Sequence, residues 1–170
     1  MLNVKITIVN SQFGNNLCSS LYTFSSKVHL KGELEFVSNK ALTGGGIHLD
    51  CSSDSPPSSV CFDAMTKIYM TNNIALENGG AIAARENCRG NSRSLYMWFS
   101  WKGDLPKVIL ENNTARTKGD SIYVQSLAIN KTGILPSNFW RVFTIRGVNH
   151  PLEIAHSVTK HVSVWDQMLV

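Results

Sequence analysis

Residues 72–84 read NNIALENGGAIAA. The stretch is too polar for a buried strand and too rich in glycine for a helix, and it holds no cluster of charge that would mark a catalytic loop. The chain writes it in variant form three times, as LKGELEFVSNKALTGGGIHL (30–49), TKIYMTNNIALENGGAIAA (66–84) and PKVILENNTARTKGDSIYV (106–124). These copies share a skeleton: a short strand, an apolar residue three positions before Asn, Ala two after it, then a glycine turn and Ile. Phe36 with Asn39, Met70 with Asn73 and Leu110 with Asn113 fill the apolar-x-x-Asn slots, and Ala41, Ala75 and Ala115 follow. ITIVNSQFGNN (6–16) is an earlier partial copy with Phe13 ahead of Asn16 and no glycine turn.

The repeated asparagines Asn16, Asn39, Asn73 and Asn113 are 23, 34 and 40 positions apart. A unit of ~20–30 residues that stacks on its neighbours is the mark of a solenoid, and the longer gaps read as insertions leaving the side of the stack. Within each coil the apolar residue points inward and Asn takes the corner, where its side chain bonds backbone at the bend and tolerates left-handed dihedrals. Stacking turns the four asparagines into a ladder. Gly44, Gly45, Gly79, Gly80 and Gly119 allow the tight turn that follows, and Ile47, Ile82 and Ile122 re-enter the core. The fold class expected is all-β: a short right-handed parallel β-helix of about four coils over 1–124, near 20 Å long at ~4.8 Å per coil.

The paired FxxN and GGAI tetrapeptides resemble the repeat of the chlamydial polymorphic outer membrane proteins, and similar repeats occur in right-handed β-helix proteins of other bacteria and of eukaryotes. FGNN (13–16) and FVSN (36–39) match the first tetrapeptide, and GGAI (79–82) matches the second letter for letter. GGGI (44–47) changes one small residue, GDSI (119–122) loses a glycine, and Met70 and Leu110 stand in for Phe. The resemblance covers about residues 4–124. It implies a non-enzymatic module, displayed on a cell surface or secreted, that serves adhesion or interaction with a protein or glycan, and that belongs to a longer protein with further repeats. In a bacterium the surface would be the outer membrane.

Composition sets the outer bounds. At 170 residues the chain supports one core of ordinary size. Its 16 Lys and Arg against 12 Asp and Glu are scattered rather than gathered, which argues against a nucleic-acid partner. No apolar run approaches the ~20 residues that cross a bilayer, so no membrane span is expected. MLNVKITIVNSQF (1–13) alternates like a strand from Leu2 onward and lacks the basic and apolar regions of a signal peptide. The chain therefore reads as starting mid-fold.

Two insertions carry further candidates. CSSDSPPSSVC (51–61) is a polar loop with cysteine at both ends; a Cys51–Cys61 disulfide would close it, worth about 2–3 kcal/mol, with Cys18 and Cys88 as the remaining pair. Free buried thiols are the competing reading, since four cysteines allow three connectivities. RENCRGNSRSLYMWFSWKGDLP (85–106) crowds Tyr96, Trp98, Phe99 and Trp101 between basic residues. They form either a contact patch for a glycan or protein, or a cover for the flank of the stack, and the cover is the favoured reading. Asn112 (NNT) and Asn130 (NKT) open glycosylation sequons that matter in a secreted eukaryotic chain.

After Val124 the skeleton stops, and 125–170 is expected as a separate extension. Leu152, Ala155, Val158, Val162, Trp165 and Leu169 recur at helical spacing behind Pro151, which predicts a C-terminal amphipathic helix that covers the open end of the solenoid. His150, His156 and His161 have neither metal-ligand spacing nor a companion carboxylate. The competing function is a carbohydrate-active β-helix enzyme of the pectate lyase type, or an inactive relative. Such chemistry needs clustered carboxylates, whereas Asp50, Asp63, Asp104 and Asp120 stand apart. No catalytic residue, metal or cofactor is expected.

Overall fold

The computed structural model describes residues 5–50, 58–85, 99–101, 103–126, 139–156 and 161–163. Strands follow one another around a repeating circuit. A first coil contains β1 (Lys5–Val9), β2 (Gln12–Gly14) and β3 (Leu21–Phe24); the second, β4 (Lys27–Lys31), β5 (Glu33–Val37), β6 (Lys40–Ala41) and β7 (Ile47–Asp50). The third contains β8 (Ser59–Phe62), β9 (Lys67–Thr71), β10 (Ile74–Ala75) and β11 (Ile82–Arg85); the fourth, β12 (Phe99–Trp101), β13 (Lys107–Glu111), β14 (Thr114–Ala115) and β15 (Ile122–Ser126). A short helix α1 (Phe139–Val142) then leads into β16 (Phe143–Arg146), β17 (Leu152–His156) and β18 (His161–Ser163).

Strands β1–β17 pair in parallel with their counterparts in neighbouring coils, giving four sheets among the described residues: β1-β4-β8-β12 (sheet one), β2-β5-β9-β13-β16 (sheet two), β6-β10-β14 (sheet three) and β3-β7-β11-β15-β17-β18 (sheet four). This all-β arrangement is consistent with a parallel β-helix. The local cause is two-residue alternation: KVHLK, ELEFV, KIYMT and KVILE each turn their second and fourth residues inward. Register then stacks like on like. Phe13, Phe36, Met70, Leu110 and Ile145 form one column, and Leu21, Ile47, Ile82, Ile122 and Leu152 another. Phe13 lies on Phe36 with centroids 4.9 Å apart, and Phe62, Phe99 and Phe143 pack together across the core.

One polar side chain interrupts these columns. Thr23 faces inward in register with Leu49, 3 % exposed, and its hydroxyl has no hydrogen-bond partner. An unpartnered buried hydroxyl costs stability, and Val keeps the shape without it. Thr23→Val is expected to raise the unfolding free energy by about 1 kcal/mol in urea titration.

The expected C-terminal helix is corrected. Leu152–His156 is strand β17, and it extends sheet four beyond β15, with β18 added antiparallel to it. Leu152 takes the next place in the Ile column and is 4 % exposed. The amides of Asp120 and Ile122 donate to the carbonyls of His150 and Pro151. Bonding the open edge of β15 outweighs helical spacing, because unpaired strand edges leave a whole row of backbone groups without partners. The stack likewise runs past Val124, since β16 pairs with β13. Val158, Trp165 and Leu169 lie outside the described residues.

Candidate functional site

Sequence and structure meet first at the corner after sheet two. The residue ahead of each ladder asparagine is left-handed: Asn15, Ser38, Asn72 and Asn112 have φ of 58°, 55°, 55° and 51°. That twist turns the following side chain inward, and Asn39, Asn73 and Asn113 are fully buried. The Nδ2 groups of Asn16, Asn39 and Asn73 each donate to the Oδ1 of the next asparagine at 2.9 Å. That same Oδ1 accepts the backbone amide of the earlier asparagine at 3.0–3.1 Å. Nδ2 also reaches back one coil, from Asn39, Asn73 and Asn113 to the carbonyls of Phe13, Phe36 and Met70. The ladder has a polarity, with every Oδ1 accepting from the N-terminal side.

The glycine turns do two jobs. Gly44, Gly79 and Gly119 have φ of 62°, 68° and 61°, where other residues are strained. Gly45 and Gly80 instead give room: a Cβ on Gly80 would lie 2.1 Å from the Asp120 carbonyl oxygen and 2.5 Å from that of Thr114. In the fourth coil this second place is held by Asp120. Sheet three ends at β14 among the described residues, and the Asp120 carboxylate fills the gap, accepting the amide of Ala115 at 3.2 Å and those of Asn149 and His150 at 3.2 and 2.9 Å. The signal for the role of Asp120, which in sequence stands apart from other carboxylates, is that GDSI breaks a GG pattern.

The remaining candidates separate. Phe99 is buried in the core, and Trp101 packs against it in register with Phe62, so the described part of the aromatic insertion faces inward rather than forming a contact patch. Tyr96 and Trp98 lie outside the described residues. Cys61 is buried in β8, in register with His29 and Ser100, and it and the exposed Cys18 are free thiols. The expected Cys51–Cys61 and Cys18–Cys88 pairings are therefore not formed; Cys51 and Cys88 lie outside the described residues. Asn112 is exposed, with its Oδ1 laid over Gly147, and Asn130 lies outside the described residues.

Sequence reasoning missed the outer side of sheet four. There Tyr22 and His48 lie side by side, edge to face with centroids 5.2 Å apart, and Phe24 stands beside Asp50. The Tyr22 hydroxyl meets the Asp50 carboxylate at 3.3 Å. Burial first, then the charge of Asp50 and the hydrogen bond to it, push the Tyr22 hydroxyl pKa up. Burial holds the His48 imidazole below its ordinary range; Asp50 opposes this and Arg85 adds to it. Arg85 pairs with Glu77 at 3.1 Å and lies 3.4 Å from the Thr43 hydroxyl. Tyr22 and Phe24 are nevertheless about half exposed. The signal was available in LYTF (21–24), whose alternation puts both aromatics on the outside of a strand. No group of three or more His, Cys, Asp or Glu that could hold a metal occurs among the described residues.

Comparison with known proteins finds that residues 67–85 match the family model of the Chlamydia polymorphic membrane protein repeat. No curated protein and no solved structure shows significant similarity to the chain.

Proposed function

We propose that the chain is a non-enzymatic repeat module of a longer, surface-associated protein, a right-handed parallel β-helix that adheres to a protein or glycan through the outer side of sheet four. The repeat match over 67–85 supports the surface assignment, and in a bacterium that surface would be the outer membrane. No helix among the described residues is long and apolar enough to cross a membrane. The observation that carries the adhesive reading is the placing of the aromatic side chains. Asparagines and turn glycines are engaged in holding the coils together, whereas Tyr22 and Phe24 face solvent beside Asp50. Exposed aromatic faces with a carboxylate at the rim suit a sugar ring or a protein hot spot, because large rigid side chains give contact area at low entropic cost.

Beads coated with the chain test this on cultured epithelial cells. The double variant Tyr22→Ala, Phe24→Ala is expected to adhere roughly fivefold less or worse, the ~1 kcal/mol typical of truncating an interface anchor, with an unchanged thermal melt. Digesting cell-surface glycans or proteins beforehand assigns the receptor class. Equal adhesion by the variant overturns the proposed face, and release of reducing ends from acidic polysaccharides overturns the non-enzymatic reading.

A further inference from the structure

A second surface lies on the outer side of sheet three, beside the ladder corner. Its inward residues are the small Ala41, Ala75 and Ala115, so the outward ones stand on a shallow, firmly held ridge. One row holds Leu17, Lys40, Ile74 and Thr114, where Lys40 and Ile74 donate their amides to the carbonyls of Asn16 and Asn39. The next row holds Leu42, Leu76 and Arg116, where Leu76 and Arg116 donate to Ala41 and Ala75. Leu17 is 88 % exposed, Leu42 62 %, Leu76 45 % and Ile74 42 %. Four large apolar side chains thus project from adjoining places on a rigid support.

We propose that this ridge docks on an anionic lipid surface. The four side chains present on the order of a few hundred Å², the size of a single apolar patch, against the ~800 Å² per partner of a stable protein interface. Charge points the same way. Lys40 and Arg116 are exposed within the two rows, and the neighbouring carboxylate of Glu77 is neutralised by Arg85. Basic residues flanking apolar ones favour anionic headgroups over zwitterionic ones. The ridge lies on sheet three and the proposed adhesive face on sheet four, so either can fail without the other.

Sedimentation of the whole chain with vesicles of phosphatidylglycerol and phosphatidylcholine, against phosphatidylcholine alone, tests the ridge. Binding is expected to the anionic vesicles and to be weak on the zwitterionic ones. Leu17→Ser with Leu42→Ser is expected to lower the partition constant roughly tenfold or more. Lys40→Gln with Arg116→Gln should lower it by roughly fivefold per residue removed and reduce its salt dependence. Met65, 76 % exposed in the connection between β8 and β9, provides the control: Met65→Ser should bind like the unsubstituted chain. All variants sit on the surface and should melt alike. No binding to anionic vesicles, equal binding to both kinds, or binding indifferent to the leucine pair overturns the proposal. Self-association in sedimentation velocity that the leucine pair abolishes, without vesicle binding, also overturns it and makes a second copy of the chain the occupant.

Discussion

Asn73→Ala is expected to lower the unfolding free energy by about 2 kcal/mol or more, because it takes the side-chain partner from the buried Asn39 amide and Phe36 carbonyl and one of two bonds from the Asn39 Nδ2, and an unsatisfied buried group costs ~1–3 kcal/mol. The Asn39 amide and the Asn39 Nδ2 lose their shared acceptor, and the Phe36 carbonyl loses its donor. No water can replace these bonds readily, since Asn39 and Asn73 are fully buried. Asn16→Ala, at the half-buried first rung, should cost visibly less, because it removes a donor to Asn39 but leaves no buried amide without an acceptor. Urea titration followed by circular dichroism ranks the two. Equal midpoints would mean that the ladder bonds contribute nothing beyond the strand pairing.

Gly80→Ala should be at least as damaging, for a different reason. Gly80 has no left-handed backbone to lose. Its constraint is the 2.1–2.6 Å that would separate a new Cβ from the backbone of Asp120 and Thr114, atoms that cannot rotate aside. To admit a methyl group the third and fourth coils must move apart there, disturbing the bonds from Gly80 and Ala81 to Gly119 and Ser121. Overpacking of side chains costs ~1–3 kcal/mol, and a clash with backbone exceeds that range. Gly14→Ala is the matched control: its Cβ would meet only the Val37 carbonyl at 3.5 Å, an ordinary contact. A thermal melt in which both alanine variants fall together would show that the close approach at Gly80 is relieved by breathing of the stack.

The sequence was most readable where one residue type answers one geometric demand. Asparagine at a corner and paired glycines in a turn have few other uses at that spacing, so repetition alone placed them. Reading failed where two patterns competed. Leu152 and Ala155 fit a helical stripe, yet PLEI also alternates like a strand, and only the neighbouring edge of β15 decides between them. The rung containing β16 was hidden because its corner keeps the left-handed residue, Gly147 at φ 67°, but has Val148 where earlier coils have Asn. The adhesive face and the ridge were hidden differently. The ridge gathers residues of successive coils brought side by side by register, and the adhesive face rests on one short strand, LYTF, whose outward aromatics fall outside the repeated skeleton.

Asp120 also bears on how such a chain can lengthen over evolutionary time. Copying the second or third coil inserts another asparagine and another glycine pair, and the neighbours on both sides meet the surface they already fit. A full-width coil inserted after β14 would press its backbone against the Asp120 carboxylate. Growth by duplication is therefore unimpeded on one side of this residue, and on the other it would require glycine in place of the acid.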